Sequence, residues 1–147
     1  MMKVKTLLLG VALFTLGSCK GRAELLVSTS SPNDATTNTL SEHIGLETLG
    51  GVLTPVLRRG CKFPCEVTQT FGTAMDGQDQ ITITLFQGNS DMTSRAKRLG
   101  RFMVSGIDPG PRGLSQVAIT LRATTDEVTM SARIQNGSGK LGVSRID

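Results

Sequence analysis

The chain is 147 residues long, with a formal net charge of +4, one histidine, three cysteines, no Trp and no Tyr. That length holds one domain and excludes a nucleotide-hydrolysing domain or a TIM barrel beside anything else. Apolar residues make up 38% and charged residues 19%, which excludes a disordered chain. A single His and scattered cysteines leave too few ligands for a zinc site, so neither metal nor cofactor is expected. Seventeen glycines, with many Thr, Ser and Val, favour strands and turns over helices.

Met1 to Lys5 carries Lys3 and Lys5, and Thr6 to Gly17 (TLLLGVALFTLG) is uncharged and mostly apolar. A short positive segment followed by a short apolar one is the plan of a secretory signal peptide, and the run falls below the roughly 18 to 20 residues that span a bilayer. It ends in Leu16-Gly17-Ser18-Cys19, which resembles the lipobox of bacterial lipoprotein precursors, where the Cys is acylated. Residues 1–18 are therefore expected to be a signal peptide, with Cys19 lipidated and the protein exported to a periplasmic or cell-surface site on a bacterial membrane. A buried helix, or a plain signal cleaved after Ala23, is the alternative. Losing Lys3 and Lys5 with the leader lowers the net charge from +4 to +2. Arg95, Lys97, Arg98 and Arg101 form the one basic cluster, and Phe102 alone offers a ring beside them. Base stacking has little support, so no nucleic-acid partner is expected and the cluster reads as a solvated loop.

Residues 19–42 are rich in Ser, Thr, Asn and Asp and read as a flexible tether. From His43 the pattern turns to short alternating runs. Strands are expected over 43–49, 52–57, 66–73, 80–87, 102–104, 117–123, 127–133 and 141–146, with turns at Gly50-Gly51, Asp76-Gly77, 124–126 and 136–139 and a loop over 108–113. Seven or eight short strands at this spacing predict an all-β, two-layer antiparallel sandwich over residues 43–147.

Three segments are more specific. They are GLETLGG (residues 45–51), FGTAMDGQ (71–78) leading into ITI and LFQG, and LGRF (99–102) running on to GIDPGPRG (106–113). In order and separation they resemble the β-sandwich substrate-binding domain of the seventy-kilodalton heat-shock chaperones, the DnaK type. That resemblance implies a sandwich whose loops hold an extended peptide of an unfolded protein, with one apolar side chain in a pocket. Carried over position by position, it places Ile44, Leu46, Phe71, Ile81, Ile83 and Val117 in the pocket wall. Leu49 and Ala74 become the residues that arch over the peptide, and Thr48, Gly72 and Gln78 lie where the loops hydrogen-bond to its backbone. The residue types fit, because a pocket for a Leu-like side chain needs apolar walls and sequence-tolerant binding draws affinity from main-chain hydrogen bonds. The bland reading of the same alternation is core.

The departures from the family are part of the expectation. These residues hold no phosphate loop, so no enzyme activity is expected, and the helical lid is not among them. Arg112, a lid-latching position in the family, reads as a loop residue. The family's aliphatic linker would fall near Asn33 to Asn38, which is polar here. The function expected is chaperone-like binding of extended apolar peptides by a stand-alone domain, with any ATPase partner unknown. The alternatives are a surface lipoprotein that kept the sandwich but not peptide binding, or a truncated chaperone fragment. Cys61 and Cys65 flank Phe63-Pro64 in a loop. A turn there can bring them together, and an oxidising compartment would let them form a disulfide.

Overall fold

The structure is a computed structural model that describes residues 22–136 and 140–147. The leader and Cys19 lie outside the described residues. The strands are β1 (Arg22–Ser28), β2 (Asn33–Asp34), β3 (Thr39–Leu40), β4 (His43–Thr48), β5 (Val52–Leu57), β6 (Cys65–Gly72), β7 (Gln80–Gly88), β8 (Lys97–Ser105), β9 (Gln116–Ala123), β10 (Val128–Ile134) and β11 (Gly142–Arg145), with a 3-10 turn at Thr93–Arg95 before β8. One sheet runs β1-β10-β9-β6 and the other β11-β8-β7-β4-β5, and every pairing within them is antiparallel. The all-β sandwich expected from the alternation is the fold observed.

Period-2 patterning decides which side chains meet between the layers. Val117, Ile119 and Leu121 of β9 and Val128, Met130 and Ala132 of β10 face Ile83 and Leu85 of β7, Phe102 and Val104 of β8, and Ile44 and Leu46 of β4 in one apolar core. Phe102, Ile44, Leu57, Leu85 and Val117 are wholly buried. Each side chain of this size contributes about 1.5–3 kcal/mol relative to exposure. Pro55 sits in β5, which is the outer strand of its sheet, where a missing N–H is tolerated.

The tether is corrected from Arg22 onward. β1 pairs with β10 from Arg22 opposite Arg133 to Ser28 opposite Val128. Ala23, Leu25 and Val27 point into the core while Glu24 and Leu26 face out, so burial of one side of the strand outweighs the polar segment that follows it. β2 and β3 form a small hairpin. The Asp34 Oδ1 accepts the N–H groups of Thr36 (2.9 Å) and Thr37 (3.3 Å) in its turn, which holds this carboxyl below the usual carboxylate range. Asn38 takes the left-handed conformation that closes the turn. Leu40 then inserts, fully buried. The polar Asn33 to Asn38 stretch is thus a hairpin rather than a linker.

The basic cluster is also corrected. Lys97, Arg98 and Arg101 lie on β8, which is nine residues long rather than three. A register shift opposite Leu85 and Phe86 puts Leu99 and Gly100 both inside, and that break hides the alternation. The cations remain exposed.

Arg145 of β11 is the clasp of one end of the sandwich. Its guanidinium lies 5.5 Å from the Phe102 ring centre and donates to the carbonyls of Val27 (3.3 Å) and Leu99. It also pairs with Asp147 at 3.1 Å, and Arg98 pairs with the same carboxylate at 3.3 Å. Cys61 and Cys65 are joined in a disulfide around a cis Phe63–Pro64 bond.

Candidate functional site

Three connections meet at one end of the sandwich: residues 48–52 between β4 and β5, 73–79 between β6 and β7, and 106–115 between β8 and β9. The last two are laced together. Gly77 N–H donates to the Gly110 carbonyl (2.8 Å), Gly113 N–H to the Thr73 carbonyl (2.8 Å), and Ile107 N–H to the Asp79 carbonyl (3.1 Å). Arg112 N–H donates to Asp76 Oδ1 at 2.9 Å. Thr73 and Ser115 are buried polar residues with partners: Thr73 Oγ1 accepts from Gly113 N–H, and Ser115 Oγ donates to the Asp108 carbonyl.

The turn at 48–52 is built differently. Gly50 and Gly51 both have positive φ, +83° and +73°, a conformation that only glycine adopts without cost. Thr48 Oγ1 shares a hydrogen bond with Thr54 Oγ1 across the hairpin (3.0 Å). From outside, Thr93 pins the turn. Its N–H donates to the Gly51 carbonyl at 2.8 Å. Its Oγ1 lies 3.0 Å from that same oxygen and 3.3 Å from Glu47 Oε1. Leu49, at the tip, is 99% exposed, and across the end Met75 and Leu114 are 66% and 60% exposed.

The residues named from the sequence divide into three groups. Ile44, Leu46, Ile83 and Val117 lie in the core, with Ile44 and Val117 presenting no surface to solvent. Phe71 and Ile81 are half-buried and pack against that core from the loop end, and Phe71 is paired with Val117. Leu49, Ala74, Thr48 and Gly72 are exposed. Gln78 is engaged within its own loop, where Oε1 accepts from the N–H of Ala74 (2.8 Å) and Met75 (3.2 Å) and Nε2 donates to the Gln80 carbonyl (2.7 Å). Its side chain therefore holds the loop that carries Ala74. Arg112 is exposed on the laced loops. The lone histidine, His43, accepts the Arg59 N–H at 3.0 Å on Nδ1, a structural contact. Sequence reasoning did not single out Thr93, Thr73 or Ser115. Only the fold reveals that these polar residues are buried.

The profile of the family described as Hsp70 protein matches residues 24–141, from within β1 to the residue before β11. The chain belongs to the Hsp70 family. The heat shock protein hsp-6 of Caenorhabditis elegans is 39% identical over 97 residues, 66% of this chain and 15% of that protein. The chaperone protein DnaK of Mycoplasmopsis pulmonis is 42% identical over 86 residues, 58% of this chain and 14% of that protein. DnaK of Psychrobacter cryohalolentis is 35% identical over 97 residues, again 66% and 15%. The chain thus spans about a seventh of the length of these Hsp70 relatives. Within that share, the family profile begins two residues into β1.

Proposed function

We propose that this Hsp70-family sandwich binds extended apolar segments of unfolded proteins at its loop end, as a stand-alone module that needs no nucleotide to do so. The observation that carries the reading is Leu49, an apolar side chain fully exposed on a turn that two positive-φ glycines and Thr93 hold fixed. Exposed apolar surface that is held rigid, on the same end of the sandwich as the exposed Met75 and Leu114, is surface kept for contact. A ligand side chain entering beneath Leu49 and Ala74 would meet Phe71 and Ile81, with Leu46, Ile83 and Val117 behind them. Main-chain groups of the 48–52 and 73–79 connections would supply the sequence-tolerant hydrogen bonds.

One buried Leu-sized group contributes about 1.5–3 kcal/mol and each net hydrogen bond about 0.5–1.5 kcal/mol. A micromolar complex requires about 8 kcal/mol, so one filled pocket and a few such bonds, less the cost of ordering the peptide, give micromolar or weaker binding. The test is calorimetric titration of the full chain with an unstructured Leu-centred peptide, with and without ATP. Micromolar binding that ATP leaves unchanged, and that Ile81→Phe abolishes by filling the pocket, is the expected result. No heat at high peptide concentration would sink the reading.

We further propose that the protein works outside the cytoplasm and is lipid-anchored through Cys19. The leader-like residues 1–18 and a disulfide of the kind that persists in oxidising compartments support this. Incorporation of a fatty-acid analogue, lost in Cys19→Ser, is the expected outcome, and an unlabelled protein would refute the anchor.

A further inference from the structure

The loop that the disulfide closes is not isolated. Gly60 N–H donates to the Leu40 carbonyl at 2.7 Å, Leu40 N–H to the Cys61 carbonyl at 2.9 Å, and Phe63 N–H to the Asn38 carbonyl at 3.2 Å. Thr39 bridges to Lys62 in antiparallel fashion. Residues 60–63 thus form a third rung alongside β3, and the β2–β3 hairpin lies against them. At the other end of the loop, Cys65 is the first residue of β6 and pairs with Ala123 in the main sheet. The disulfide therefore joins the rung that carries the hairpin directly to the four-stranded sheet. Cys61, Phe63 and Cys65 all pack on the edge of the core, and both cysteines are half-buried rather than sealed.

We propose that the Cys61–Cys65 disulfide is a redox-sensitive clasp that fastens the 33–40 hairpin, and with it the connection from β1 to β4, to the sandwich. The reductant it answers to is a dithiol. A thiolate of the dithiol attacks one sulfur, the Cys61–Cys65 bond breaks and a mixed disulfide forms. The second thiol of the reductant then displaces the protein sulfur. Two protein thiols result, the dithiol closes to its own cyclic disulfide, and two electrons and two protons have passed to the protein. The bridge spans only four positions in sequence, so it constrains little of the unfolded chain. Reduction is accordingly local. It frees the 60–63 rung, and the hairpin loses its support, while the β9–β10 pairing that organises the core is untouched.

The test is amide hydrogen exchange, followed residue by residue by NMR on the full chain, before and after treatment with a dithiol. Exchange of the Leu40 and Phe63 amides should speed up at least about tenfold on reduction, with β9 and β10 amides changing by less than about twofold. Trypsin should cut after Lys62 correspondingly faster. The Cys61→Ser/Cys65→Ser double variant should match the reduced protein and ignore the dithiol. Unchanged Leu40 and Phe63 exchange in the reduced protein and the double variant would overturn the clasp. So would a uniform loss of protection through β9 and β10, which would make the bridge a global staple instead. Neither result depends on whether the loop end binds peptides.

Discussion

Gly100 leaves open the space that the Arg145 guanidinium fills. A Cβ at Gly100 would lie 2.8 Å from Arg145 Nη2 and 2.8 Å from the Phe102 Cζ. Arg145 can give way, but the fully buried Phe102 ring cannot. Gly100→Ala is therefore expected to destabilise the fold by about 1–3 kcal/mol, the usual cost of overpacking, read from the midpoint of urea unfolding. Adding Arg145→Ala removes one of the two obstacles. The double variant should then lose less than the sum of the singles, a coupling visible in a double-mutant cycle.

Asp147 sets the acid limit of the same clasp. Its carboxylate accepts the Arg101 backbone N–H and faces Arg145 and Arg98, and together these hold it below the usual carboxylate range. A folded-state pKa that is depressed gives stability that is fully present above the unfolded value of 3.8 and is lost as pH falls through the folded value. Thermal midpoints of wild type and Asp147→Asn should differ at near-neutral pH and draw together as the pH falls below 3.8. A constant difference across that range would count against the carboxylate.

Thr93 tests whether the tip of the 48–52 turn needs its outside support. Thr93→Val keeps the shape and deletes the hydroxyl that reaches Gly51 and Glu47. The stability cost should be about 0.5–1.5 kcal/mol, that of one hydrogen bond. Peptide dissociation, followed by stopped-flow fluorescence of a labelled peptide, should accelerate several-fold. Thr93→Ser, which restores the hydroxyl, should recover the wild-type rate. A Val variant with unchanged dissociation would show that the turn holds itself.

Gly45 marks the closest approach of any glycine among the described residues. A side chain there would run into the Thr54 carbonyl oxygen and lie 2.8 Å from its carbon and 2.9 Å from Pro55 Cα. These are backbone atoms of the neighbouring strand, where the register of β4 and β5 shifts. Gly45→Ala should cost about 3 kcal/mol or more, at the upper end of overpacking, or leave no folded protein. Circular dichroism and urea unfolding would separate these results from a neutral one, which the geometry forbids.

From His43 on, the sandwich was legible because its strands alternate cleanly and are punctuated by glycine turns. The expected ends of β4, β5, β6, β7, β9 and β10 fall within a residue of those observed. β1 was missed although Ala23, Leu25 and Val27 alternate, because three apolar positions beside a long Ser/Thr/Asn stretch carry too weak a pattern to outweigh it. The first half of β8 was missed because its register shift buries Leu99 and Gly100 consecutively, which breaks the period-2 signal. At the loop end, the apolar residues were visible as a pattern. Their division into core (Ile44, Val117) and half-open (Phe71, Ile81) positions was not, because depth along a strand is set by the partner sheet. Gln78 shows the same limit: its residue type suits bonding to a ligand or to its own loop, and only the fold brings Ala74 and Met75 within its reach.

β1 runs down the sandwich while β4 runs up it. Arg22, opposite Arg133, is consequently level with Ala118 and Thr70, two residues short of Gly72 and the 73–79 connection. The described chain therefore starts level with the loop end, on the edge of its sheet opposite β6. Level is not proximity: β10 and β9 stand between that starting point and the strand that feeds the 73–79 connection, so the loops and the start of β1 share a height but not a flank.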